Sequence, residues 1–177
     1  MPKMIVFLGN PGVQYKLTRH NAGWRVCDAL TEKNGISQTW TTKFHSLYLK
    51  EGNLILLKPQ TFMNESGLAV QEAAKFYGIN PNSILIVHDD IELPFGTVKL
   101  QLGGGLGGHN GLRSIKTHLG TEAFCRLRIG VGRPPSPISV ADFVLGRFSP
   151  EEEASLAKIL NTAVESANQF TLKGIEE

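Results

Sequence analysis

Apolar positions along this chain recur with two periods that alternate from the N-terminus to the C-terminus. Short runs rich in Val, Ile, Leu, Phe and Tyr, at residues 4–9, 43–50, 53–58, 83–88, 97–102 and 126–131, read as β-strands. The second and third are joined by Glu51-Gly52, which predicts a hairpin. Segments beginning at Ala22, Ser66, His109 and Ser149 instead space their apolar residues three and four apart and predict helices. Gly35 and Gly78 close the first two as left-handed C-caps. The last helix is the best marked. Ser149-Pro150-Glu151-Glu152 supplies an N-cap serine, a proline at the first helical position and a glutamate that completes a capping box. Behind it Leu156, Ile159, Leu160, Ala163, Val164, Ala167 and Phe170 fall on one face, predicted to cover the core. Alternation without linker or repeat predicts an α/β fold: a single domain over residues 1–177, with a twisted mixed sheet flanked by helices on both faces.

At 177 residues the chain is long enough for one core and short for two. Its longest apolar runs, residues 54–57 and 84–87, fall far below the roughly 20 residues needed to span a bilayer. The N-terminus runs directly into Asn10-Pro11-Gly12 and reads as a first strand, not a signal peptide, so a cytoplasmic location is expected. The two cysteines, Cys27 and Cys125, lie among apolar neighbours and are expected to be buried free thiols. The net charge of +2 conceals an asymmetry. Residues 97–133 hold six bases (Lys99, Arg113, Lys116, Arg126, Arg128 and Arg133) against Glu122, whereas residues 142–177 hold seven acids against three bases. One face is thereby suited to an anion; a merely solvated basic surface fits the charge count equally well.

The segment Gly103-Gly104-Gly105-Leu106-Gly107-Gly108 satisfies G-x-G-x-x-G after a strand and before a helix. It is nevertheless misplaced for a dinucleotide: the next strand ends in Gly132-Arg133, with no acid for a ribose, and no Lys-Ser or Lys-Thr follows to make a Walker loop. Its unshielded amides suit close approach of a phosphate or carbonyl, or the loop is purely structural. His20, His88, Asp89, Asp90, Glu92 and His109 are metal-ligand types but lack H-E-x-x-H spacing. Ser66 has no nucleophile-elbow glycines and reads as an N-cap. Asn10, Asn64, Asp89 and Asn110 each end or follow a strand, and in such a sheet strand ends share a rim where ligands bind. His20, in the loop before the first helix and not expected in the core, titrates nearest neutral pH of all side chains. Beside a carboxylate it can take a proton from water, the first requirement for hydrolysing an activated acyl group.

Phe7-Leu8-Gly9-Asn10-Pro11-Gly12, Tyr15 and Thr18-Arg19-His20-Asn21 resemble the N-terminal signature of bacterial-type peptidyl-tRNA hydrolases. The resemblance continues in order through Lys58-Pro59-Gln60-Thr61-Phe62-Met63-Asn64, His88-Asp89-Asp90, Gly107-Gly108-His109-Asn110-Gly111-Leu112, residues 126–134 and Phe143-Val144-Leu145, over nearly the whole chain. It implies hydrolysis of the ester between a peptide and the 3′ ribose of tRNA, with His20 as general base oriented by Asp89. It further implies that Asn64 positions the scissile carbonyl and stabilises its oxyanion, Asn10 holds the terminal nucleotide or ester, Asn110 holds water and substrate backbone, and Met63 and Tyr15 belong to the substrate site. No metal or organic cofactor is implied. Lys99, Arg113, Lys116, Arg128 and Arg133 are expected to meet acceptor-stem phosphates. The family often carries a base where this chain has Gln101, which leaves Arg128 as the candidate for a terminal-phosphate contact. A monomer is expected, without the longer C-terminal tail of some relatives. Two competing readings are a non-catalytic RNA-binding relative of the same fold and a metal-dependent amidase using His20, His88 and Asp89.

Overall fold

The computed structural model describes residues 1–173; Glu176 and Glu177, two of the seven acids counted above, lie outside them. Seven strands form one mixed sheet: β1 (Lys3–Phe7), β2 (Thr41–Lys43), β3 (Ser46–Glu51), β4 (Leu54–Pro59), β5 (Ile84–Asp90), β6 (Val98–Leu102) and β7 (Cys125–Gly130), in spatial order β2-β3-β4-β1-β5-β7-β6. The four central strands are parallel; β3 and β6 run antiparallel to them on either side, and β2 pairs antiparallel to β3 at one edge.

The central strands are continuous apolar runs because both their faces are covered, and strand geometry sends alternate side chains to opposite faces. Ile5, Phe7, Leu56, Leu85 and Val87 join one core with the helices α1 (Ala22–Lys33) and α5 (Pro150–Lys173). Met4, Val6, Ile55, Leu57, Ile84 and Ile86 join the other, beneath α2 (Ser66–Tyr77) and α3 (Asn110–Leu119). A fifth, short helix, α4 (Val140–Val144), lies beside the sheet's carboxyl rim. The expected capping box forms in both directions: Glu152 N donates to Ser149 Oγ at 3.1 Å and Ser149 N to Glu152 Oε1 at 2.9 Å. Gly35 and Gly78 take the left-handed conformation, and both cysteines are buried and free.

Four expectations change. The run at 43–50 is interrupted, since Phe44 and His45 both have positive φ and make a tight β2–β3 turn without the usual Asn or Gly. Packing overrides turn preference there: Phe44 is 7% exposed, in the core beneath α2. The β3–β4 loop is Gly52-Asn53, one residue later than read, because Glu51 pairs with Leu54. Ser66 is not an N-cap; it is the first residue of α2, and its hydroxyl turns back to donate to Met63 O at 2.7 Å. Finally, β6 is antiparallel to β7, so Leu102 pairs with Cys125 at the sheet's opposite rim. Asn110 reaches the carboxyl rim only because the glycine-rich segment runs back along the sheet.

Candidate active site

His20 and Asp89 meet at the carboxyl ends of β1 and β5. Gly23, the second residue of α1, makes this possible: a Cβ there would lie 2.6 Å from the carbonyl oxygens of Leu8 and Val87, so the helix start is set directly on the strand ends. The loop carrying His20 is tied on both sides. Asn21, fully buried, accepts from Asn10 N at 2.9 Å and donates to Asn10 O at 3.0 Å, joining the two loops. Arg19 donates from its backbone to Gly146 O at 2.9 Å and from Nη1 to Phe143 O at 3.0 Å, which binds the loop to the end of α4.

His20 Nδ1 lies 2.8 and 3.0 Å from the two carboxylate oxygens of Asp89. His20 is 8% exposed and Asp89 1%, so the histidine is buried after all, but on the wall of a cleft. Burial disfavours the imidazolium, yet the attraction and hydrogen bond of Asp89 outweigh it, and the pKa of His20 lies above its ordinary 6.5. Burial would likewise raise Asp89, but His20 and His109 together hold it well below the usual carboxylate range.

In the sequence His109 is one residue of a motif and a metal-ligand type; the structure gives it a further part. It caps α3 through Nδ1, which accepts from Gly111 N at 3.0 Å and Leu112 N at 3.3 Å. Two backbone donors force the remaining ring proton onto Nε2, which donates to Asp89 Oδ1 at 2.9 Å. His20, Asp89 and His109 place one ligand atom each within 4.8 Å of one another. A metal on His109 Nε2 would need that proton moved to Nδ1, where it would face two amide hydrogens, so the cluster is wired as a hydrogen-bond relay. His88 stands outside this cluster: Nδ1 donates to Asp89 O at 2.8 Å, and burial followed by the nearby His109 pushes its pKa down to about 4.

A cleft of about 270 Å³ opens over the pair, with His20, Asp89, Leu106, His109, Asn110 and Val144 in its walls. Asn10, Tyr15, Met63 and Asn64 do not line it. Asn10 is buried and its Oδ1 accepts from Met63 N at 2.7 Å, which leaves its amide NH₂ as a fixed donor. Met63 is buried against Gly111, where a Cβ would come within 2.7 Å of its Sδ. Tyr15 stacks edge-on to Phe62, and Asn64 is exposed.

Of the basic residues, Lys99, Arg113, Lys116 and Arg133 are exposed. Lys116 pairs with Glu122 at 3.4 Å and Arg133 with Glu92. Arg128 is half-buried, donating to Asp90 Oδ2 at 2.7 Å and to Gln101 Oε1 at 3.1 Å. Arg126 must be removed from the anion-facing set, because it is 1% exposed.

A mixed sheet covered on both faces, with a histidine–carboxylate pair in a cleft at its carboxyl rim, defines an α/β protein whose site has the parts general-base chemistry needs. Residues 4–177 match the family model described as peptidyl-tRNA hydrolase, and the chain belongs to that family. A peptidyl-tRNA hydrolase of a Geobacter species is 47% identical over 98% of this chain and 93% of the relative, and one from Gloeobacter violaceus is 43% identical over 99% and 90%. The crystal structure of the Acinetobacter baumannii peptidyl-tRNA hydrolase superposes with a TM-score of 0.83 at 39% identity, covering 95% of this chain and 87% of that one.

Proposed function

We propose that this chain hydrolyses the ester linking a peptide, or an N-blocked amino acid, to the 3′ ribose of tRNA, so that tRNA from stalled or aborted translation is recycled, with His20 as general base. The observation that carries this reading is the His20–Asp89 pair. Both carboxylate oxygens reach Nδ1, so the ring keeps its proton there and leaves the Nε2 lone pair without a protein partner among the described residues, on the wall of a cleft. Water at Nε2 loses a proton to the ring as its oxygen bonds to the ester carbonyl carbon. Asp89 stabilises the imidazolium. When the tetrahedral intermediate collapses, the bond to the ribose oxygen breaks, and that oxygen takes the proton back from His20. The products are a peptide carboxylic acid, which loses its remaining proton to solvent, and a tRNA with a free hydroxyl.

Around this step Asn64 offers an exposed amide to the developing oxyanion, a contact worth about 10²–10³ in rate at comparable sites. Asn10 presents its NH₂ to the terminal nucleotide or the ester, and Asn110 holds water and substrate backbone, with Tyr15 and Met63 as neighbouring surface. The ester is intrinsically labile, so a base and positioning suffice without a metal or organic cofactor. Lys99, Arg113, Lys116, Arg128 and Arg133 meet phosphates of the acceptor stem, which gives binding that depends on salt and little on sequence. The protein acts as a monomer in the cytoplasm; among the described residues no helix is long and apolar enough to cross a membrane.

The test compares an N-blocked aminoacyl-tRNA with the same tRNA bearing a free amino acid, in EDTA. Selective cleavage of the blocked substrate by the parent protein, lost in His20→Ala, is the expected result. Tight tRNA binding without cleavage would identify a non-catalytic RNA-binding relative, and loss of activity in EDTA a metal enzyme.

A further inference from the structure

Five glycines in the six positions 103–108 sit between β6 and α3 and run from one rim of the sheet to the other. Such a segment loses more conformational freedom on folding than any other composition would. It also has few bonds of its own. Gly103 N donates to Phe124 O at 2.9 Å, and the next amide with a protein acceptor is His109 N, on Leu106 O at 3.0 Å. Among the described residues, the amides of Gly104, Gly105, Leu106, Gly107 and Gly108 have no protein acceptor. Yet Leu106, Gly107 and Gly108 form one wall of the cleft and deliver His109 and Asn110 to it.

The segment is fastened from behind. Arg126, on β7 near the far rim, donates from Nη1 to Gly105 O and from Nη2 to Gly104 O at 2.7 Å, with a longer contact from Nη2 to Glu122 O at 3.5 Å. Its guanidinium stands 4.8 Å over the Phe124 ring. Beside it Gln101 Nε2 donates to Gly103 O at 2.8 Å. A buried cation is costly unless its donors are satisfied; here Nη1 and Nη2 are satisfied by main-chain carbonyls, those of Gly104 and Gly105 foremost, while Nε has no partner among the described residues. Because a trans peptide directs C=O and N–H oppositely, holding the Gly104 and Gly105 carbonyls inward turns the Gly105 and Leu106 amides outward.

We propose that Arg126 is a positioning residue for the hydrolytic site: without touching substrate, it sets the cleft wall at 106–108 and the placement of Asn110 by clamping the carbonyls of Gly104 and Gly105. The planar fork suits this role and a lysine does not, since one ammonium cannot hold two adjacent carbonyls in a fixed plane.

The experiment uses Arg126→Lys and Arg126→Met in the full chain, with folding checked by thermal denaturation; Arg126→Lys keeps the cation should Arg126→Met fail to fold. For cleavage of an N-blocked aminoacyl-tRNA, KM rises on the order of tenfold in Arg126→Lys, with kcat changed less and the acid limb set by His20 unmoved. Backbone ¹⁵N order parameters at 104–108 fall below those of the parent. The slope of tRNA affinity against salt stays parental. Folded variants with parental KM and parental order parameters would overturn the proposal, as would lost stability with unchanged KM. A salt slope reduced by about one contact would also overturn it, by placing Arg126 on a phosphate. The kinetic arm rests on the hydrolase reading. The relaxation and salt arms do not require cleavage, so failure of that reading and failure of the clamp are told apart.

Discussion

The His20–Asp89–His109 centre and the basic surface of β6, β7 and α3 are built on opposite physical terms. In the centre, Asp89 is 1% exposed and each of its carboxylate oxygens is committed to a histidine ring N–H, that of His109 fixed by its own backbone contacts and that of His20 by Asp89 itself. On the surface Lys99 and Arg113 have no carboxylate partner among the described residues, and the pairs of Lys116 and Arg133 are solvent-exposed. Buried charges act at short range and resist screening; exposed ones act through a field that salt weakens. On the proposed function, chemistry that must repeat identically would use the centre, and attraction to a polyanion of variable sequence the basic surface.

The largest test of this contrast is His20→Ala. Cleavage falls by about 10²–10⁴ in single-turnover assays, while tRNA affinity, measured by filter binding, stays near parental. A parallel loss of affinity would show that the two regions are not separable. Asp89→Asn comes next. With His20 as the proposed general base its neutral form is the active one, so kcat/KM is expected to rise as pH rises through its pKa, which Asp89 holds above 6.5. Removing the charge slows cleavage and moves the acid limb of the pH profile to lower pH; an unmoved limb would assign it to another group.

His88 probes the centre through stability. It is neutral in the folded protein, with its pKa pushed down to about 4, so between 6.5 and about 4 the unfolded chain binds a proton that the folded chain refuses. Relative to His88→Gln, the parent loses about 3 kcal/mol as pH falls through that window, read from urea unfolding at each pH. A constant difference would mean that His88 is already charged when folded. The smallest effects belong to the rim. Lys99→Gln or Arg113→Gln weakens tRNA binding a few-fold and lowers the salt slope by about 0.7–0.9 per lost contact, with kcat unchanged.

Much of this arrangement was legible along the chain. The central strands announced themselves as unbroken apolar runs because both faces of the sheet are covered, and α5 announced its start because a capping box is local chemistry. The Phe44-His45 turn was hidden, since its backbone is dictated by a phenylalanine packing into a distant core. His109 was visible as a residue but not as a cap and relay, and the one available signal was its place immediately before a helix. Arg126 counts as one more surface charge in the sequence because its partners are backbone carbonyls, which every residue carries and no sequence pattern marks.

The sequence by itself determined the alternation of strands and helices, the family, and the identity of the histidine, aspartate and asparagines, because periodicity, capping and motif spacing are properties of residues near one another in the chain. Only the tertiary structure decided that β6 runs antiparallel, that a glycine segment must therefore return along the sheet, and that Asp89 serves two histidines at once. Those outcomes depend on pairing between residues far apart in sequence, where burial and geometry select among alternatives that local preference leaves open.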